Sequence, residues 1–81
     1  MSAVRDTIRT FISKNFYVSA EGLTDVESLL DRGVVDSTAI LEVISFLEET
    51  FAIRVDDAEI LPENLDSIAA IARFVEGKQR A

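Results

Sequence analysis

The stretch Leu29-Leu30-Asp31-Arg32-Gly33-Val34-Val35-Asp36-Ser37-Thr38 is where this chain changes character. Residues 17–35, which run into it, show no clean hydrophobic period and contain Gly22 and Gly33. After it, Ile40, Val43, Ile44, Leu47 and Phe51 recur at the spacing of one helix face. Asp36 has the short acceptor side chain that caps a helix start. A glycine, two aliphatics and a capping acid ahead of a strongly amphipathic run mark the end of a loop and the start of a helix. Ser37 falls in the first turn of that helix.

Toward the N-terminus, Val4, Ile8, Phe11 and Ile12 form a second apolar stripe. It predicts a helix from Ser2 to Phe16 with Ser2 as its cap. Residues 17–35 are then a long loop with one turn at Val26–Leu30. Leu23, Val26, Leu29, Leu30 and Val34 are the residues able to pin it to the core. Loops of this length in small domains usually carry function. Toward the C-terminus, Asp56 can cap a single short turn that Pro62 ends. Leu65, Ile68, Ile71, Ala72 and Val75 predict the last helix, with Gly77 stopping it. Strand signal is poor apart from Ile53–Val55. The expected fold class is all-α: three main helices plus one short helix, with the long loop between helices one and two. The expected domain organisation is a single domain over residues 1–81.

Composition narrows the function. The chain has 81 residues, 15 acidic and 8 basic side chains, a net charge of −7, and neither Cys nor His. Without His or Cys, and with no suitable Lys near the serine, a hydrolase built on Ser37 has no base. The charge repels nucleic-acid phosphates and anionic lipid heads and suits basic protein partners. No apolar run approaches the ~18 residues of a membrane span, and the N-terminal residues lack the apolar core of a signal peptide. The expectation is a cytoplasmic monomer that binds neither nucleic acid nor membrane and is not an enzyme. Asp56, Asp57 and Glu59 do not form an EF-hand loop, so no metal site is expected.

The string Asp25-Val26-Glu27-Ser28-Leu29-Leu30-Asp31-Arg32-Gly33-Val34-Val35-Asp36-Ser37-Thr38 resembles the acyl and peptidyl carrier proteins. Asp-Ser alone is too common to carry this. The likeness rests on the paired leucines, Gly33-Val34-Val35-Asp36-Ser37, and the acidic helix that ends at Phe51. It extends to Leu65–Val75 and so over nearly the whole chain. It implies that a phosphopantetheinyl transferase attaches 4′-phosphopantetheine from coenzyme A to Ser37, and that the arm's thiol carries an acyl or aminoacyl thioester. It implies that Asp36 engages the transferase and its magnesium. The start of a helix adds unpaired N–H donors and a partial positive charge for the phosphate. An acyl- or aminoacyl-loading ligase and downstream acyltransferases or synthases with basic patches are the other implied partners.

Between Asp36 and Glu63 the chain has eight acids and one base, Arg54. The expected partner face is Thr38, Leu41, Glu42, Ser45, Glu48, Glu49, Asp56, Asp57 and Glu59. Three features depart from fatty acid carriers. Thr38 and Ser45 are polar where such carriers are usually apolar, and Ala39 lacks a charge often present there. Phe46 is bulky where a smaller residue is common, which would shrink an acyl pocket between helices and favour short or polar cargo. The function expected is carriage of acyl intermediates in fatty acid, polyketide or specialised lipid biosynthesis. The alternatives are a stand-alone aminoacyl carrier and an unmodified acidic interaction module.

Overall fold

The structure is a computed structural model that describes residues 3–16, 22, 24–36 and 38–80. Four α-helices follow one another: α1 (Ala3–Asn15), α2 (Ala39–Phe51), α3 (Pro62–Leu65) and α4 (Ile68–Arg80), with a 3₁₀ turn at Asp57–Glu59 ahead of α3. There is no strand among the described residues. The all-α class and the long connection between the first two helices are as the periodicity predicts. Ser2, Leu23 and Ser37 lie outside the described residues.

α4 is the hub, packed against α1, α2 and α3. Ile68, Ile71, Ala72 and Val75 are fully buried on it, facing Ile8 and Ile12 of α1 and Val43, Ile44 and Leu47 of α2. Ile40 and Phe51 are half-buried at the margin of this core. Leu29 and Val35 bring the loop into it. Val26, however, is 81% exposed and Leu30 40% exposed, so neither pins the loop as expected. They sit in tight turns whose order comes from hydrogen bonds rather than burial.

Those bonds fasten the loop at two points. The Asp25 carboxylate pairs with Arg5, at 2.7 Å, and with Arg9, both on α1, while its carbonyl accepts the N–H of Ala69 at 2.8 Å. Asp66, in the break before α4, accepts from Ser28 Oγ and from the N–H of Leu30 through its carboxylate. Its carbonyl accepts the N–H of Leu29 at 2.7 Å. Between these anchors Arg32 pairs with Glu27. That contact, aided by the Thr24 N–H, holds the Glu27 carboxyl below its ordinary value. Gly33 turns the chain back toward the core at φ +73°. No atom lies within 4 Å of where its Cβ would be, so only backbone strain opposes a side chain there. Gly33→Ala is expected to cost about 1 kcal/mol in urea unfolding. A loss below a few tenths would mean that the turn is not held in this conformation.

Three boundaries in the C-terminal half differ from the sequence expectation. Pro62 does not end the short turn at Asp56; it opens α3 as its first residue, where its missing N–H costs nothing. Leu65 belongs to α3 rather than to the last helix. The last helix restarts at Ile68 because Ser67 Oγ accepts the N–H of Ala70 at 3.1 Å, satisfying a first-turn donor. Gly77 does not stop α4, which continues to Arg80. Continued winding brings the Lys78 amine within 2.6 Å of Glu59 and over the Phe74 ring, which offsets the ~1 kcal/mol penalty of a helical glycine.

Candidate functional site

The chain has two Asp-Ser pairs at helix starts, and the fold treats them differently. Asp66 and Ser67 are both half-buried, and their side chains are committed to the loop and to the α4 cap. Asp36 is exposed. Its Oδ1 accepts the N–H of Thr38 at 3.0 Å and of Ala39 at 2.6 Å, and its carbonyl accepts the N–H of Ile40. Asp36 therefore caps α2, as the sequence predicts. Its Oδ2 has no partner among the described residues.

This cap also corrects one expectation. The N–H groups of Thr38 and Ala39 are taken by Asp36, so they are not open to a phosphate at the preceding position. What the helix start still offers an anion is its partial positive charge, typically ~0.3–1 kcal/mol. The surroundings suit a tethered arm in other respects. Asp36, Thr38 and Leu41 are all exposed, which leaves the position between Asp36 and Thr38 with exposed chain neighbours on both sides.

The nine residues expected on the partner face divide into two groups. Thr38, just before α2, and Leu41, Glu42, Ser45 and Glu49 on it are exposed. On the other side of α2, Glu48 is half-buried and its Oε2 accepts the N–H of Val55 at 2.9 Å, fixing the extended segment after the helix. Glu59 Oε1 accepts the N–H of Asp56 at 3.0 Å and pairs with Lys78 at 2.6 Å. Asp56 is exposed, but its backbone closes the 3₁₀ turn with Glu59. Asp57 is exposed beside it. Glu48 and Glu59 thus have structural work that a charge count along the chain does not reveal.

Lys78, and then the Asp56 N–H, hold the Glu59 carboxyl below its ordinary value of 4.5. With the folded value depressed, the stability from these contacts is complete above pH 4.5 and is lost as pH falls through the lower folded value. Glu59→Gln is expected to flatten this acid limb in thermal melts below pH 4.5. An unchanged limb would show that the contacts do not form in solution.

Sequence reasoning did not foresee the aromatic seam between α1 and α2. Phe11 and Phe46 stack with centroids 3.9 Å apart and planes at 14°. Phe16 meets Phe11 edge-on, and Phe51 meets Phe46 in the same way. The bulk of Phe46 is therefore spent against α1. The available signal was four phenylalanines, two at the ends and two in the middle of the stripes on consecutive helices. Periodicity assigns such residues to a core margin and does not pair them.

Comparison with known proteins agrees with this geometry. The family described as a phosphopantetheine attachment site matches residues 6–75. The D-alanyl carrier proteins of Streptococcus pyogenes serotype M5 (strain Manfredo) and serotype M1 are each 30% identical over 79 residues, covering 98% of this chain and 99% of theirs. The solution structure of holo acyl carrier protein NE2163 from Nitrosomonas europaea superimposes with a TM-score of 0.82 at 30% identity, covering 99% of this chain and 100% of that one. The chain belongs to the phosphopantetheine-attachment family of carrier proteins, whose cofactor is a covalently held 4′-phosphopantetheine.

Proposed function

We propose that Ser37 is the attachment residue and that the chain shuttles an acyl group, held as a thioester on the arm, between separate enzymes without doing chemistry itself. The observation that carries this is the state of Asp36: exposed, immediately before Ser37, one oxygen capping α2 and the other without a partner among the described residues. A carboxylate oxygen of this kind is a hard ligand suited to the transferase's magnesium. In the loading step the Ser37 oxygen bonds to the β-phosphorus of coenzyme A. The pyrophosphate P–O bond breaks, 3′,5′-ADP leaves with the electron pair, and the serine proton passes to a base of the transferase. Thr38, Leu41, Glu42, Ser45, Glu49 and Asp57 form the face read by basic patches on the transferase, the loading ligase and downstream acyltransferases or synthases. Glu48, Asp56 and Glu59 support that face rather than anchor the contact.

Two classes of cargo fit. One is an acyl intermediate of fatty acid, polyketide or specialised lipid biosynthesis. The other is an amino acid, and the names of the D-alanyl carrier relatives favour it. The polar Thr38 and Ser45 on the exposed face agree with dedicated partners rather than the general fatty acid machinery.

Incubation with coenzyme A, magnesium and a broad-specificity phosphopantetheinyl transferase is expected to add one phosphopantetheine to the intact mass. Ser37→Ala is expected to abolish the gain. A folded wild-type protein that gains nothing, beside a control carrier that is modified, would leave an unmodified acidic interaction module as the better account.

A further inference from the structure

A shallow groove of about 430 Å³ runs along the outside of the α1–α2 seam, lined by Phe11, Leu41, Glu42, Ser45, Phe46 and Glu49. We propose that it is a resting site for the aminoacyl end of the carried cargo, an inference that rests on Ser37 bearing the arm.

Reach comes first. At 1.5 Å rise per residue, Leu41 and Ser45 lie ~5 and ~11 Å along the helix axis from Thr38, the residue after Ser37. An extended phosphopantetheine is about as long as five extended residues, ~17 Å. The thioester end can therefore fold back to any point of the groove. The floor comes next. The stacked rings of Phe11 and Phe46, with Phe16 and Phe51 edge-on to them, form the apolar floor. Leu41, 59% exposed, stands beside them as the largest apolar surface on the outer face of α2.

Charge then selects among cargoes. Glu42 and Glu49 stand two turns apart on the rim, and neither has an ion pair or hydrogen bond among the described residues. No basic side chain lines the groove. A cargo ending in a carboxylate is repelled there, and a plain acyl chain leaves the two acids without a partner. An aminoacyl group brings an ammonium that can pair with either carboxylate. Its short side chain packs on Leu41. The groove is too shallow to enclose a long chain, and the ring stack fills the seam beneath it. The acids on the opposite side of α2 are unsuited to this role, since Glu48 and Glu59 already hold internal donors.

The test uses four coenzyme A derivatives installed by the same transferase: an amide-linked alanyl group, and acetyl, succinyl and octanoyl groups. Each loaded protein, labelled with ¹⁵N, is compared with the unacylated holo form by amide chemical shifts. The alanyl group is expected to move the amides of Leu41, Ser45, Phe46 and Phe11 by at least twice as much as acetyl. Its amine is expected to bind a proton about threefold more tightly than on free pantetheine, as befits exposed ion pairs. In Glu42→Gln with Glu49→Gln protein, loaded to completion with excess transferase and checked by intact mass, most of that gain is expected to be lost.

Equal patterns for alanyl and acetyl, or an amine gain unchanged in the double variant, would overturn the assignment. So would a larger perturbation of the groove by octanoyl, which would make it an apolar acyl site. A failure of all four groups to attach would instead overturn the carrier reading beneath it.

Discussion

Asp66→Ala is expected to lower stability to urea by about 2–3 kcal/mol, although the residue is at neither the core nor the attachment site. Its carboxylate takes two donors from the loop, the Ser28 hydroxyl and the Leu30 N–H at 2.8 Å. Ser28 Oγ in turn accepts the N–H of Asp31 at 3.1 Å. A hydrogen bond to a charged group contributes about 1.5–3 kcal/mol, and a donor left without a partner adds a further penalty where water cannot replace it. An 81-residue domain has roughly 4–12 kcal/mol in all, so the loss is a sizeable share. Asp66→Asn keeps one acceptor oxygen and the shape, and is expected to lose about half as much. Equal stability of all three proteins would show that Leu29 and Val35 hold the loop by burial alone.

Phe46→Ala carries the second large effect, again about 2–3 kcal/mol in urea unfolding. Fully buried phenylalanines cost about 3–5 kcal/mol on truncation, and this ring is half-buried. Its loss also removes the face-to-face contact with Phe11 and the edge contact with Phe51. Pairing Phe46→Ala with Phe11→Ala in a double-mutant cycle is expected to give a coupling of about 0.5–1.5 kcal/mol, the worth of the stack beyond its buried area. A coupling near zero would mean that each ring packs on the core independently. Phe46→Leu keeps apolar volume but no flat face, and is expected to recover part of the stability and none of the coupling.

The helices were legible because their apolar residues recur with the period of the structure they form. Ile8, Ile12, Val43, Leu47, Ile71 and Val75 could be placed in the core from spacing alone, and they are buried. The cap at the start of α2 was legible for a different reason. Asp36 reads as a cap from its chemistry and position, and its Oδ1 does accept the N–H groups of Thr38 and Ala39. What could not be read was whatever depends on residues distant in sequence. Nothing near Asp66 announces that its carboxylate serves a loop 36 residues earlier. Glu48 and Glu42 look alike in a charge count, yet one holds the Val55 N–H and the other faces outward. Pro62 and Gly77 carry general preferences that local context overrode: a proline suits a helix start as well as a stop, and a glycine is tolerated where neighbouring contacts extend the helix.

The fastening of the loop to Asp66 has a mechanical consequence. Ser28 and Asp66 are 38 residues apart, and their bond closes a ring of chain that contains all of α2 and the Ser37 position. With the arm on Ser37 as proposed, an enzyme drawing on it would load this ring rather than a free helix end. The ring is tied to the core through Val35 and Leu29, and to the base of α4 through Asp66, so tension on the cargo would be shared by the bundle.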